Sequence, residues 1–254
     1  MKLALVISPA KKMNVVEGPP HAEGLPRFLE RTEQLMTALQ ALSFDEAQAL
    51  WKTSDRLTAL NRDRLRAMDL THGAATAAAV AYEGIAFQHL AAAVMDGPSL
   101  DYLRDHLRIL SGFYGVLAPF DGVVPYRLEM QQKLSVGGYD DLYAFWGDSL
   151  LRSLAEEGFT DIVNVASVEY ARALALHAGS GMPAITTCLF GDLRDGRLVQ
   201  RATEAKAARG TFVRWCAERN IEELDGLRAF AERGYAYDER LSTDKALAFV
   251  RQSA

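Results

Sequence analysis

The chain has 254 residues, a formal net charge of −5 and a sequence pI of about 5.6. That length can bury a large core, and the acidic total excludes a histone-like or wholly basic nucleic-acid binder, so any phosphate site has to be a local basic patch on an acidic body. Only Cys188 and Cys216 are present, in unlike contexts, which excludes a disulfide framework and a cysteine-based zinc site and fits a reducing, cytoplasmic setting.

The N-terminal MKLALVISPAKK is apolar for only about six residues, too short for a signal-peptide core or a membrane span. Leu3–Ile7 reads instead as a strand buried on both faces, stopped by Ser8-Pro9 and followed by Lys11 and Lys12. After a Gly- and Pro-rich loop, Phe28, Leu29, Leu35, Leu39 and Leu42 recur at helical spacing. Ser43 with Glu46 is a capping box that opens a second helix through Trp51. Ser54 begins a third, with Leu57, Leu60, Leu65 and Met68 as its expected buried stripe. An alanine-rich helix is expected from Ala74 to Met95, interrupted at Gly84, and Ser99 is expected to cap the helix after it. Residues 139–157 carry helical periodicity that stops at Gly158.

The second half reads differently. Residues 161–166 form a strand, and 185–190 with 197–202 form a hairpin about Asp195-Gly196. Lys206–Arg219 is a helix, and 234–237 with 246–250 are a closing pair of strands. No repeat or composition break marks a linker. The expectation is α/β, one compact domain over residues 1–254 with a mixed sheet.

Within this order the stretch Leu110–Met130, LSGFYGVLAPFDGVVPYRLEM, stands apart: glycines, prolines and aromatics are packed into one short connection. Gly112 and Gly115, three apart and flanked by aromatics, describe a tight turn against a packed support. Exposed amides in such a turn suit a phosphate. Ser111, Gly112, Tyr114 and Gly115 are therefore phosphate candidates, Phe113 being assigned to the core. Lys11 joins them at the C-terminal edge of a strand, where open α/β sheets place ligands, whereas Lys12 reads as a solvated loop charge. Arg127 and Glu129 share one side of an extended segment, either as a structural ion pair or as a phosphate contact with its orienting carboxylate. Glu169 and Tyr170 follow a strand end at Ser167, which is either a helix cap or the edge of a ligand site. Lys206 and Arg209 lie one helical turn apart. The histidines His21, His72, His89, His106 and His177 lack ligand spacing, so neither metal nor cofactor is expected.

Six ordered segments read together: ISPAK at Ile7–Lys11, TSDRLTALN at Thr53–Asn61, Leu107–Met130, DLYAFWGD at Asp141–Asp148, VNVASVEYARAL at Val163–Leu174, and AKAARG at Ala205–Gly210. In this order the chain resembles the YaaA family of bacterial peroxide-stress proteins over essentially its whole length. The resemblance implies a cytosolic role in surviving peroxide and limiting iron-linked damage. It also implies DNA binding through a basic cleft and a helix-hairpin-helix element on residues 107–119, an unusual YaaA-type fold, and little sequence preference. The alternative is an enzyme acting on a nucleotide or nucleic acid, with Lys11, Glu129, Glu169 and Tyr170 as its catalytic candidates. With no Walker A loop, GxGxxG or triad in the sequence, no reaction is named. No membrane association is expected.

Overall fold

A computed structural model describes residues 2–71 and 76–251. Strand β1 (Leu3–Ile7) is buried along its whole length, as an apolar run flanked by strands on both sides requires. The chain then forms β2 (Lys12–Met13) and three helices, α1 (Leu29–Gln40), α2 (Phe44–Trp51) and α3 (Asp55–Arg66). The expected capping box opens α2: the Glu46 amide donates to Ser43 Oγ at 3.2 Å and the Ser43 amide to Glu46 Oε2 at 2.8 Å. The stripe expected on α3 is buried only in its second half: Leu65 is in the core and Met68 packs against it, whereas Leu57 and Leu60 are exposed and Thr58 is buried in the first half.

The alanine-rich stretch is not one helix. Its first expected residues, from Ala74, and His72 lie outside the described residues. The rest breaks into β3 (Thr76–Ala77), α4 (Ala78–Ala81), β4 (Tyr82–Glu83) and α5 (Ile85–Leu90). Pairing of β3 with β7 (Gly122–Val123) and of β4 with β2 overrides the alanine helix propensity. Helix α6 (Gly97–His106) starts one turn earlier than expected: Asp96 is its cap, accepting from the Ser99 amide at 3.0 Å.

The region expected to hold a helix-hairpin-helix is instead a strand, turn and strand. β5 (Leu107–Ser111) pairs antiparallel with β6 (Gly115–Leu117). Farther on, the single helix expected over 139–157 is two, α7 (Leu142–Trp146) and α8 (Ser149–Glu156), broken at Gly147 with φ +52°. β8 (Asp161–Asn164), α9 (Val168–Ala175), β9 (Ala184–Arg194), β10 (Arg197–Val199), α10 (Ala202–Glu218), β11 (Tyr235–Tyr237) and β12 (Ala246–Arg251) complete the chain. The β9–β10 hairpin and the β11–β12 pair form as expected.

One mixed sheet unites both halves of the sequence in the order β11-β12-β9-β8-β1-β5-β6, with β10 paired to β9. β5, β1, β8, β9 and β12 run parallel. The chain leaves β1 towards β5 and leaves β8 towards β9, so adjacent strands send their connections in opposite directions. Such a reversal opens a crevice at the C-terminal ends of the strands. Here it lies between β1 and β8.

A buried carboxyl in the segment after β6 makes stability depend on pH. Asp121 Oδ2 accepts from the Ala118 amide at 2.9 Å, and burial pushes its pKa up to about 6. The folded state then holds a proton that the unfolded state releases, so stability falls as pH rises from about 4 to about 6. Asp121→Asn keeps the amide acceptor and removes the charge. We expect it to gain up to about 3 kcal/mol over wild type at neutral pH and nothing below pH ~4, read from denaturation midpoints. Equal gains at both pH values would contradict this assignment.

Candidate functional site

The crevice between β1 and β8 is a cavity of about 440 Å³. Its rim begins where β1 ends: Ser8, Pro9, Ala10 and Lys11 turn over the sheet, facing Ser167 at the end of β8. The two strand ends are laced together, the Ser167 amide donating to Ser8 Oγ at 2.7 Å and Ser8 Oγ donating to Ser167 Oγ at 3.2 Å. Ser167 occupies the N-cap position of α9, but its hydroxyl makes no hydrogen bond to the helix amides. Of the two readings of Ser167, position favours the cap and bonding favours the crevice.

Lys11, Arg127, Glu129, Glu169, Tyr170, Lys206 and Arg209, scattered over two hundred positions of sequence, all line this cavity. Five cations, Lys12 being the fifth, and three carboxylates are among its lining residues. Lys12 is taken up by Glu83 at 2.7 Å, as a structural link between β2 and β4. Lys11 Nζ meets Glu129 Oε2 at 2.6 Å, and Arg127 touches the other oxygen at 3.5 Å. The open question of the Arg127–Glu129 pair thus resolves into a triad: Glu129 belongs chiefly to Lys11, and Arg127 is held loosely beside it. Glu169 accepts from the Gln131 amide at 3.1 Å. Burial, helped by the charge of Glu129, raises its pKa above the ordinary carboxylate range.

Arg209 differs from every other cation here. Burial lowers the pKa of its guanidinium, and no carboxylate offsets that cost. Its Nε is buried without an acceptor, and among the described residues it has no ion pair. An arginine stays protonated even so. A buried, uncompensated charge is expensive, and a ligand oxygen placed on it recovers that cost. Lys206, one turn earlier on α10, is exposed at the mouth.

α10 reaches the cavity because its inner face is small. Ala205, Ala207, Ala208 and Gly210 are buried, and a Cβ on Gly210 would lie 1.9 Å from the carbonyl oxygen of Ala86 on α5. The two helices therefore touch backbone to backbone, which brings Arg209 to the crevice wall. The sequence signal for this contact is the run of small residues in AKAARG, beside its basic pair.

The glycine bend is elsewhere than expected. Ser111, Gly112, Phe113, Tyr114 and Gly115 are all buried. The amides of Phe113 and Tyr114 are already satisfied, both donating to Ser111 Oγ at 3.1 and 2.9 Å. These residues are thus corrected from phosphate contacts to a platform. A Cβ on Gly112 would meet the Leu128 oxygen at 2.9 Å and the Met130 nitrogen at 3.0 Å, so only glycine lets the Arg127–Glu129 segment lie this close. Phe113 stacks on Tyr126 with ring centroids 4.9 Å apart, and the Tyr126 hydroxyl joins Ser111 Oγ at 2.6 Å and Tyr82 at 2.9 Å. The bend positions the cavity floor from behind.

Sequence reasoning missed a second cavity of about 840 Å³ on the other side of Lys11, Arg127 and Glu129, which line both. Trp51, Lys52, Gln132 and Lys133 complete its wall. No sequence signal placed the end of α2 near the Arg127–Glu129 segment. The link is Gln132, which accepts from the Glu129 amide at 2.9 Å and donates to the Leu50 carbonyl at 3.0 Å.

Comparison with known proteins follows the chain as a whole. The family model described as peroxide stress protein YaaA matches residues 3–241. A UPF0246 protein of Desulfitobacterium hafniense is 40% identical over 252 residues, 99% of each chain. One from Lactiplantibacillus plantarum is 42% identical over 250 residues, covering 98% of this chain and all of its own. No helix among the described residues is long and apolar enough to cross a membrane.

Proposed function

The chain belongs to the peroxide stress protein YaaA family, and from that membership we propose that it serves peroxide survival in the cytoplasm as a DNA-binding protein, holding the phosphates of a strand in the β1–β8 crevice. The observation that carries this reading is Arg209, half-buried with its Nε sealed from solvent and without an ion pair among the described residues, in a cavity lined by more cations than carboxylates. Lys206, exposed on the same helix, would draw an anion in. A cavity of about 440 Å³ is the size of a single nucleotide unit rather than a duplex, so an exposed strand, end or gap is the form it favours. Limiting iron-linked oxidative damage would then act through the DNA, not through iron held by these side chains.

Phosphate contacts of this kind read no bases, so binding is expected to show little sequence preference and to weaken steeply with salt. Titrating labelled single-stranded and duplex oligonucleotides at two salt concentrations checks this. We expect single strands to bind more tightly, with affinity falling about tenfold or more between 50 and ~200 mM salt. No binding to either form at low salt would reject the reading.

A second reading is favoured by one feature, the carboxylate of Glu129 held at 2.6 Å from Lys11 inside the cavity and only 9% exposed. That pairing, with Glu169 raised above its ordinary range, suits proton transfer on a bound nucleotide. Recovering an altered nucleotide from the same incubations would favour this reading.

A further inference from the structure

Among the described residues, three buried side-chain nitrogens lack a hydrogen-bond acceptor: Arg209 Nε, Arg127 Nε and Trp51 Nε1. All three line the two adjoining cavities. Arg209 is in the first, Arg127 on the partition that both share, and Trp51 in the second. Buried donors are nearly always paired in folded proteins, so three orphans gathered along one continuous path call for an explanation. Each of these side chains donates only, so whatever completes them is rich in acceptors.

The second cavity, like the first, is lined by more cations than carboxylates: Lys11, Lys52, Arg127 and Lys133 beside Glu46 and Glu129. Trp51 is 2% exposed, so its indole N–H has no bulk solvent to fall back on. The Gln132 bridge ties the end of α2 to the amide of Glu129, fixing Trp51 relative to the partition.

We infer that the two cavities form one bipartite site, in which Trp51, Lys52 and Lys133 receive a second phosphate of the strand whose neighbouring phosphate rests on Arg209. This rests on the phosphate reading of the first cavity and adds a second subsite to it. The Lys11–Glu129–Arg127 bridge lies between the subsites, against the nucleotide that joins the two phosphates. A ligand with one phosphate satisfies Arg209 alone. A ligand with two also satisfies the indole.

Calorimetric titration of the full chain with thymidine 5′-monophosphate and with a 5′-phosphorylated thymidine dinucleotide tests this. Wild type is expected to bind the dinucleotide at least tenfold more tightly. Trp51→Phe keeps the ring and deletes the N–H. It is expected to lose about tenfold for the dinucleotide and nothing for the mononucleotide. Its melting midpoint without ligand should be unchanged or raised, since an unpaired buried donor is gone, and a purely structural tryptophan would not give that combination. Lys133→Gln, at an exposed position, should likewise weaken only the dinucleotide. If both variants bind the dinucleotide as wild type does, the second subsite is refuted while the Arg209 reading stands. If wild type binds neither probe, both fall.

Discussion

Replacing Arg209 with methionine is expected to weaken binding to single-stranded DNA about 100-fold while leaving the fold intact or more stable. Methionine keeps the length of the stem that packs against the cavity wall and removes the charge. In the free protein that charge is half-buried and, among the described residues, without a counter-ion, so its loss relieves the folded state. In the complex the same guanidinium meets a phosphate in a water-poor cavity. Truncating one side of a buried, hydrogen-bonded charge pair costs about 3 kcal/mol, which is about 100-fold in affinity. Arg209→Lys should fall between the two: the charge remains, but a guanidinium fork that grips two oxygens does not. The opposite signs of the binding and stability effects distinguish a ligand-holding residue from a structural one. A folded Arg209→Met protein with unchanged DNA affinity would remove the main support for the proposed function.

Gly210→Ala is expected to destabilise the protein by about 3 kcal/mol and to abolish binding with it. The direction is diagnostic. In an ordinary helix interior, glycine to alanine stabilises by about 1 kcal/mol through backbone entropy. Here the added Cβ would sit 1.9 Å from the Ala86 oxygen, 2.7 Å from its carbonyl carbon and 3.0 Å from its Cα. Those are backbone atoms and cannot swing aside, so α10 has to move off α5 and carries Arg209 away from the cavity wall. Trimming the neighbour as well, in Gly210→Ala with Ala86→Gly, should restore neither stability nor binding, because the obstruction is not a side chain. Thermal melting beside a DNA titration reads both effects. A melting point at or above that of wild type would show that the helices are free to separate, and that Arg209 is placed by something else.

The features legible in the sequence were those that depend on near neighbours in the chain. The unbroken apolar run of Leu3–Ile7 could only be a strand with partners on both sides, and it is. The Ser43–Glu46 capping box and the hairpin at Asp195-Gly196 close over a few residues, so their geometry follows from local hydrogen bonding and turn chemistry. Where local preference met a competing partner, it lost. Residues 76–90 have alanine helix propensity but lie between β2 and β7, and pairing with those strands fragmented the helix. Leu57 and Leu60 fit the same amphipathic stripe as Leu65, but in the first half of α3 the buried position is Thr58.

The site divides along the same line. Lys11, Arg127, Glu129, Glu169, Tyr170, Lys206 and Arg209 could be named from residue type and motif, because charge near a strand end or on one helical turn is a local property. Which of them stays unpaired is not. Lys11 finds Glu129 and Lys12 finds Glu83 only because β1 and its following loop lie against segments from the middle of the chain. Among the described residues Arg209 has no ion pair, because Glu83 and Glu129 of the same cavity are taken by Lys12 and Lys11 and Glu169 accepts from the Gln131 amide. Gly112 and Gly115 announced a tight bend, but whether its amides faced solvent or Ser111 depended on the Arg127–Glu129 segment closing over them. The sequence by itself determined the family, the central strands and the cast of charged groups. The tertiary structure alone decided which charges are neutralised, which donors are stranded and where the second cavity opens, because ion pairing and burial act between atoms close in space, whatever their separation along the chain.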